Sequence, residues 1–260
     1  MLRTLLPPLL VLTVFIAPAR AQEIVRDSLS GQRLSWELVR VPGGEVTVPG
    51  PSGPVRTRVE SFLIGRTEVP WELYDVFYLR LDVAREARPG VDATTRPSRP
   101  YGAPDRGFGH RGYAAISITL GSALKFAAWL TERTAQRYAV ATDAQWQRAA
   151  DVAFGVMPSD LAAHAWLAAN AESVPHPIAT REPDRLGLYD LLGNVGEWVT
   201  GEDGTPYLRG GSYLTRRDDL LPTYRERQIP SWNSTDPQDP KSRWWLSDGP
   251  FAGFRLVRIP

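Results

Sequence analysis

None of the 260 residues is a cysteine. Such a chain cannot staple itself with disulfides or hold a metal through thiolates, so apolar packing must carry its fold. The material is there: nine tryptophans, nine tyrosines and eight phenylalanines. The constraint sharpens because residues 1–21 read as a secretory signal peptide. Arg3 gives a positive start, Leu5 to Ile16 an apolar core interrupted at Pro7, Pro8 and Thr13, and Ala19-Arg20-Ala21 an A-x-A cleavage site before Gln22. That apolar run is shorter than the roughly 20 residues of a spanning helix. Export to the periplasm or beyond is therefore expected, with no membrane span after cleavage.

Residues 22–260 suit one large core in a single domain. Removing Arg3 and Arg20 turns the formal charge from +1 to −1, which argues against a nucleic-acid partner. Only Lys125 and Lys241 are lysines, so 28 of the 30 basic residues are arginine. Either a codon bias or a use for the planar guanidinium fork explains that choice.

Turn chemistry and periodicity predict the elements. Residues 38–48 read as two strands around Pro42-Gly43-Gly44, and Val55 to Ile64 as another. A helix is expected after Glu68-Val69-Pro70-Trp71, with Leu73, Val76, Phe77 and Leu81 on its apolar face. Residues 88–113, rich in Pro, Gly and Arg, read as a long loop. Its Gly107-Phe108-Gly109-His110-Arg111-Gly112 matches G-x-G-x-x-G, but prolines precede it and no helix follows directly, so no dinucleotide site is expected. Residues 122–136 predict an amphipathic helix burying Leu124, Ala127, Ala128 and Leu130. Thr142 and Gln145 predict a capping box, opening a helix with Trp146, Ala149 and Ala150 on one face. Beyond 151 turn residues dominate and the strands must be short. The fold class is α+β, with few helices and long loops.

Several ordered blocks carry a family resemblance. Val41-Pro42-Gly43-Gly44, Glu68-Val69-Pro70-Trp71, Ala114-Ala115-Ile116-Ser117 and Ala141-Thr142-Asp143-Ala144-Gln145-Trp146 lead to Gly187-Leu188-Tyr189-Asp190-Leu191-Leu192-Gly193-Asn194-Val195-Gly196-Glu197-Trp198. Arg209-Gly210-Gly211-Ser212-Tyr213 and Gly253-Phe254-Arg255 follow. In this order they resemble the formylglycine-generating enzyme (sulfatase-modifying factor) family, which implies a variant of the C-type lectin fold. Thr95 to Tyr101, and Asp236-Pro237-Gln238 with Lys241 to Trp245, are similar to an exported bacterial subfamily. The family's two catalytic cysteine places fall on Leu220 and Arg225, and Gly196 replaces the tryptophan usual before Glu197-Trp198. Without a cysteine thiol, copper-thiolate binding and disulfide exchange are impossible, so no catalytic residue is assigned.

The resemblance implies a calcium site from the Asp190 and Glu197 side chains with the Gly193 and Val195 carbonyls, an oxygen set of the kind calcium takes. Otherwise the two carboxylates only order the loop. Asn170 with the Ala171 carbonyl, and Glu68, match further family positions more weakly. His110, His164 and His176 show no metal-ligand spacing, and Ser212 lacks a nucleophile elbow. The expected ligand surface is the C-terminal loop, residues 212–251. There Arg216, Arg217, Arg225 and Arg227 could fork carboxylates, and Trp232, Trp244 and Trp245 could face a peptide, protein or glycan. Alternatively the tryptophans pack the loop down and the arginines pair with Asp218, Asp219 and Glu226. The expected role is binding or structural. The competing role is a cysteine-independent, metal-assisted oxidase with Glu226 or Glu197 as base, since a periplasmic branch linked to pyoverdine maturation also lacks the cysteine pair.

Overall fold

A computed structural model describes residues 23–50, 52–87, 94–221 and 223–260. The signal-peptide expectation, and the start of the 88–113 loop, lie outside these residues. In chain order the elements are β1 (Ile24–Leu29), β2 (Leu34–Val41), β3 (Gly44–Gly50), β4 (Gly53–Val59), β5 (Phe62–Gly65), α1 (Trp71–Tyr78), α2 (Leu120–Thr134), β6 (Arg137–Val140), α3 (Asp143–Phe154) and α4 (Leu161–His164). Short strands β7 (Gly196–Thr200), β8 (Pro206–Arg209), β9 (Glu226–Arg227), β10 (Ala252–Gly253) and β11 (Leu256–Ile259) complete the chain.

The main sheet is antiparallel and runs β1-β2-β5-β11-β6, so the last strand sits between strands from both halves of the chain. Its faces separate two cores. Leu38, Leu63 and Leu256 point into one with α1 and α2, while Val39, Val41, Ile64 and Val257 point into the other with α3. This is the period-2 alternation of a pleated strand. A sheet covered on both faces wants apolar residues at successive positions, which Phe62-Leu63-Ile64 supply. A second sheet, β10-β7-β8-β9, and the β3-β4 hairpin flank it.

The helices form for local reasons. Thr142 Oγ1 accepts from the Gln145 amide at 3.1 Å, and Gln145 Oε1 accepts from the Thr142 amide at 3.0 Å: the expected capping box. Trp146, Ala149 and Ala150 are buried on the helix it opens. Thr119 caps α2, and Ala135 closes it in a left-handed conformation.

Other expectations need correction. The polar lead hides β1, whose residues alternate only partly in burial. The single strand expected over 55–64 is two, β4 and β5, which pair in different sheets. The Pro42-Gly43 turn joins strands that do not pair with each other, so it is a crossing between sheets. On α2 the buried face carries Ala123, Phe126, Ala127 and Leu130, whereas Leu124 is 46% exposed and Ala128 is exposed. The aromatic Phe126 wins the inward position because Tyr74, Phe77, Trp129 and Phe254 surround it, with ring centroids 5.4–5.7 Å away. Leu81 lies beyond α1 and is exposed.

Loss of the capping box tests its part in ordering α3. Thr142→Ala should lower stability by about 1 kcal/mol, or about 2–4 °C in melting temperature for a chain of this size. A thermal melt checks it, and Thr142→Ser should restore most of the loss.

Candidate functional site

The signature turn ahead of β7 folds around a buried ion pair. Glu197 Oε1 accepts from Arg255 Nε at 2.8 Å and lies 2.7 Å from Nη2. Its Oε2 accepts from the Trp146 indole at 2.9 Å. Arg255 also donates to the carbonyls of Gly65 (2.9 Å) and Tyr189 (2.8 Å). Asp190 Oδ2 accepts from the Ala179 amide at 2.8 Å, and Asn194 donates to Glu68 Oε1 at 3.0 Å. Asp190 and Asn194 are left-handed (φ 53° and 48°), which these residue types tolerate best after glycine. At Gly193 (φ 78°) a β-carbon would stand 2.3 Å from the Trp166 carbonyl oxygen, so only glycine fits. Gly196 packs against Phe251 and Leu208, which leaves no space for the family's tryptophan.

The four expected calcium positions therefore share one turn, but Arg255 already provides a cation to Glu197. Two buried carboxylate oxygens, Asp190 Oδ1 and Glu68 Oε2, have no hydrogen-bond partner. Burial, then the neighbouring Asp190 charge, holds the Glu68 carboxyl well above the usual range. Burial pushes Asp190 up to about 6. These orphaned oxygens fit either a proton or a hard cation. Among the described residues no three His, Asp or Glu side chains converge as metal ligands. The weaker positions are committed locally: Asn170 bonds the Leu167 amide and the Ala165 carbonyl, and the Ala171 carbonyl accepts from Val174.

The C-terminal loop separates the residues expected to act together. Trp232, Trp244 and Trp245 are buried. Trp232 packs edge-on to Phe251, and Trp245 joins Trp71, Tyr74 and Tyr78 in the core while its indole donates to the Ser98 carbonyl at 2.7 Å. Among the described residues these arginines make no side-chain pair with Asp218, Asp219 or Glu226. Arg225 donates to Asp143 at 2.8 Å, Arg217 to the Ser159 carbonyl, and Arg227 covers the Tyr207 ring. Arg216 borders a cavity of about 340 Å³ with Ser212, Leu214, Tyr224, Glu226 and Phe251. There Tyr224 donates to Glu226 at 3.0 Å, and burial raises the Glu226 carboxyl. Leu220, one of the two cysteine places, is buried core. Ser212 is buried too, its hydroxyl accepting from the Leu214 amide at 3.2 Å.

One constellation escaped the sequence. His110 bridges Asp105 (2.9 Å) and Asp75 (2.8 Å) and stacks on Trp71 at 4.9 Å between ring centroids. Asp75 is distant in sequence and arrives on α1. The bridge pins the 105–113 segment to α1, where Glu72 also accepts from the Gly112 amide at 2.9 Å.

With that geometry established, the family follows. The Sulfatase-modifying factor enzyme 1-like domain matches residues 28–259, and the chain belongs to that family. Three solved structures share the fold, a mixed α+β variant of the C-type lectin type. Treponema denticola variable protein 1 is 16% identical, covering 91% of this chain and 99% of its own, with TM-score 0.62. PvdO from Pseudomonas aeruginosa is 20% identical over 86% and 94%, with TM-score 0.61. CarF is 22% identical over 86% and 98%, with TM-score 0.56. No curated protein matches the chain.

Two measurements follow. Removing one member of a buried ion pair strands the other, so Arg255→Met should cost about 3–5 kcal/mol in chemical denaturation. His110 is drawn down by burial, but Asp75 and Asp105 outweigh that and raise its folded pKa. The bridge therefore stabilises fully below the unfolded value of about 6.5 and is lost as pH climbs through the folded pKa. His110→Gln should cost about 2–4 °C in melting temperature at pH 5.5, equivalent to about 1 kcal/mol, and much less at pH 9.

Proposed function

We propose that the chain is an exported binding module of this family that takes a peptide, protein or glycan on the C-terminal loop without thiol chemistry. Export rests on the leader-like residues 1–21. The observation that best supports a ligand is the cavity beside Ser212. Arg216 is exposed at its edge, Leu214 is 46% exposed, and Phe251 adds apolar surface. A guanidinium fork next to apolar carbon favours a peptide with an acidic residue beside an apolar one. Since the three tryptophans are buried, recognition falls to Arg216, Leu214 and the Tyr224–Glu226 pair.

The oxidase reading draws on one observation, the Glu226 carboxyl that burial raises beside the Tyr224 hydroxyl, which makes it a stronger base than an exposed carboxylate. A structural calcium on Asp190, Glu197 and the Gly193 and Val195 carbonyls is part of the proposal too, supported by the partnerless Asp190 Oδ1 and Glu68 Oε2. The ion would offset the mutual repulsion of those carboxylates.

Selection of binders from a displayed peptide library tests the module. Arg216→Ala should weaken the selected peptide about tenfold, or roughly 1.4 kcal/mol, with the melting temperature unchanged. Oxygen uptake with that peptide and added copper or iron, abolished by Glu226→Gln, would replace this reading by the enzyme. EDTA should lower the melting temperature of calcium-loaded protein. An unchanged curve would leave Arg255 as the cation of the turn.

A further inference from the structure

A second cavity, of about 140 Å³, opens between the 100–106 segment and the 235–247 loop, and it shares no lining residue with the cavity beside Ser212. Its walls are mostly carbon: Pro100, Tyr101, Pro104, Pro237 and the edge of Trp245. Tyr101 is 68% exposed, so its ring is accessible to a ligand. The volume is close to that of the engineered cavities of about 150 Å³ that hold one benzene ring.

The polar lining sorts into committed and free groups. The Thr235 and Ser247 hydroxyls donate to Asp248, and Asp236 accepts from the Gln238 and Ser242 amides. Arg106 donates through Nε to Ser117 Oγ at 3.4 Å and through Nη2 to the carbonyls of Leu246 (3.1 Å) and Ser247. Its Nη1, the Tyr101 hydroxyl and the Gln238 side-chain amide have no partner among the described residues. The free groups thus offer a fixed cation flanked by neutral hydrogen bonders, and the one acid, Asp236, is occupied by backbone amides.

Arg106 (φ 56°) and Ser117 (φ 60°), two of nine described non-glycine residues with left-handed backbone, hydrogen-bond each other in the cavity wall. Such conformations cost about 1–3 kcal/mol each and cluster where a side chain is held for a ligand.

We propose that this cavity binds a small carboxylate whose body is a single ring or a branched aliphatic group. Nη1 of Arg106 takes the carboxylate, Gln238 and Tyr101 complete its hydrogen bonds, and the prolines and Trp245 enclose the body. A free acid and the C-terminal residue of a peptide share this chemistry. The proposal does not depend on the reading of the cavity beside Ser212.

The test titrates the full chain with benzoate, benzyl alcohol, N-acetylphenylalanine and its amide, following the Trp245 indole proton and loop amides by NMR. At least one acid should shift Trp245 and bind about tenfold or more tightly than its neutral counterpart, the effect of a charge-assisted hydrogen bond. Benzoate alone points to a free acid, and N-acetylphenylalanine alone to a peptide C-terminus; either supports the site. Tyr101→Ala should weaken binding about fivefold, from loss of aromatic contact, at an unchanged melting temperature. Gln238→Ala should weaken it less. Because Arg106 anchors its loop and Arg106→Gln would disturb it, the Tyr101 and Gln238 variants decide. The assignment is overturned if the neutral compounds match the acids, if no compound shifts Trp245, or if neither variant changes affinity.

Discussion

The Arg255–Glu197 pair is the interaction on which the rest of the molecule depends. Its hydrogen bonds reach β7 through Glu197, α3 through Trp146, the end of β5 through the Gly65 carbonyl and the signature turn through Tyr189. Arg255 itself lies just before β11, the strand that closes the main sheet. Burying two charges costs several kcal/mol each. That cost is met only because the carboxylate and the guanidinium spend their polar atoms on fixed partners. What the pair gains is registry: the chain can place β11 between β5 and β6 while the guanidinium reaches all these acceptors at once.

A second buried network repeats the device. Arg209 donates to Asp143, to Gln147 at 2.7 Å, and lies 4.1 Å above the Trp146 ring, while Arg225 takes the other Asp143 oxygen. Trp146 is therefore held between the two networks, donating through its indole nitrogen to the Glu197 carboxylate and stacked under the Arg209 guanidinium. A lysine could supply the charge at either position but not the planar set of donors. At these sites the preference for arginine has a structural use, and it suits a chain that fastens α3 to its strands without a single disulfide.

Local chemistry was legible in the sequence, and tertiary contact was not. The capping box at Thr142 and the short strands beyond 151 depend on neighbours a few residues away, and they stand as read. The family blocks fixed the fold class for a similar reason, since each marks a turn or crossing that tolerates few residues. The face of α2 differs from its reading at Leu124 and Ala128, because Leu124 and Phe126 are comparably apolar and only the aromatic neighbours choose between them. The His110 bridge was invisible because its second carboxylate comes from 35 residues upstream. Burial of Trp232, Trp244 and Trp245 was likewise open until the loop was seen folded back. A tryptophan in a polar loop reads the same whether it faces a ligand or the core.

That inward turn of the tryptophans changes what the loop can do. A 40-residue excursion with few regular elements pays a large entropy to order itself. Here Trp232, Trp244 and Trp245 offset that cost by burial, and Asp236 and Asp248 each gather several loop donors. The Asp248 carboxyl is held below its usual range by those bonds, first among them the Thr235 amide. The loop is then a scaffold in its own right. Cavities along it are already shaped before anything binds, so a ligand need not supply the ordering energy that a flexible loop would demand. Side chains left over from this internal fastening, such as Arg216 on one flank and Arg106 Nη1, Tyr101 and Gln238 on the other, are where recognition can reside. A fold without thiols can in this way rest on its framework and leave its chemistry to the side chains at its edges.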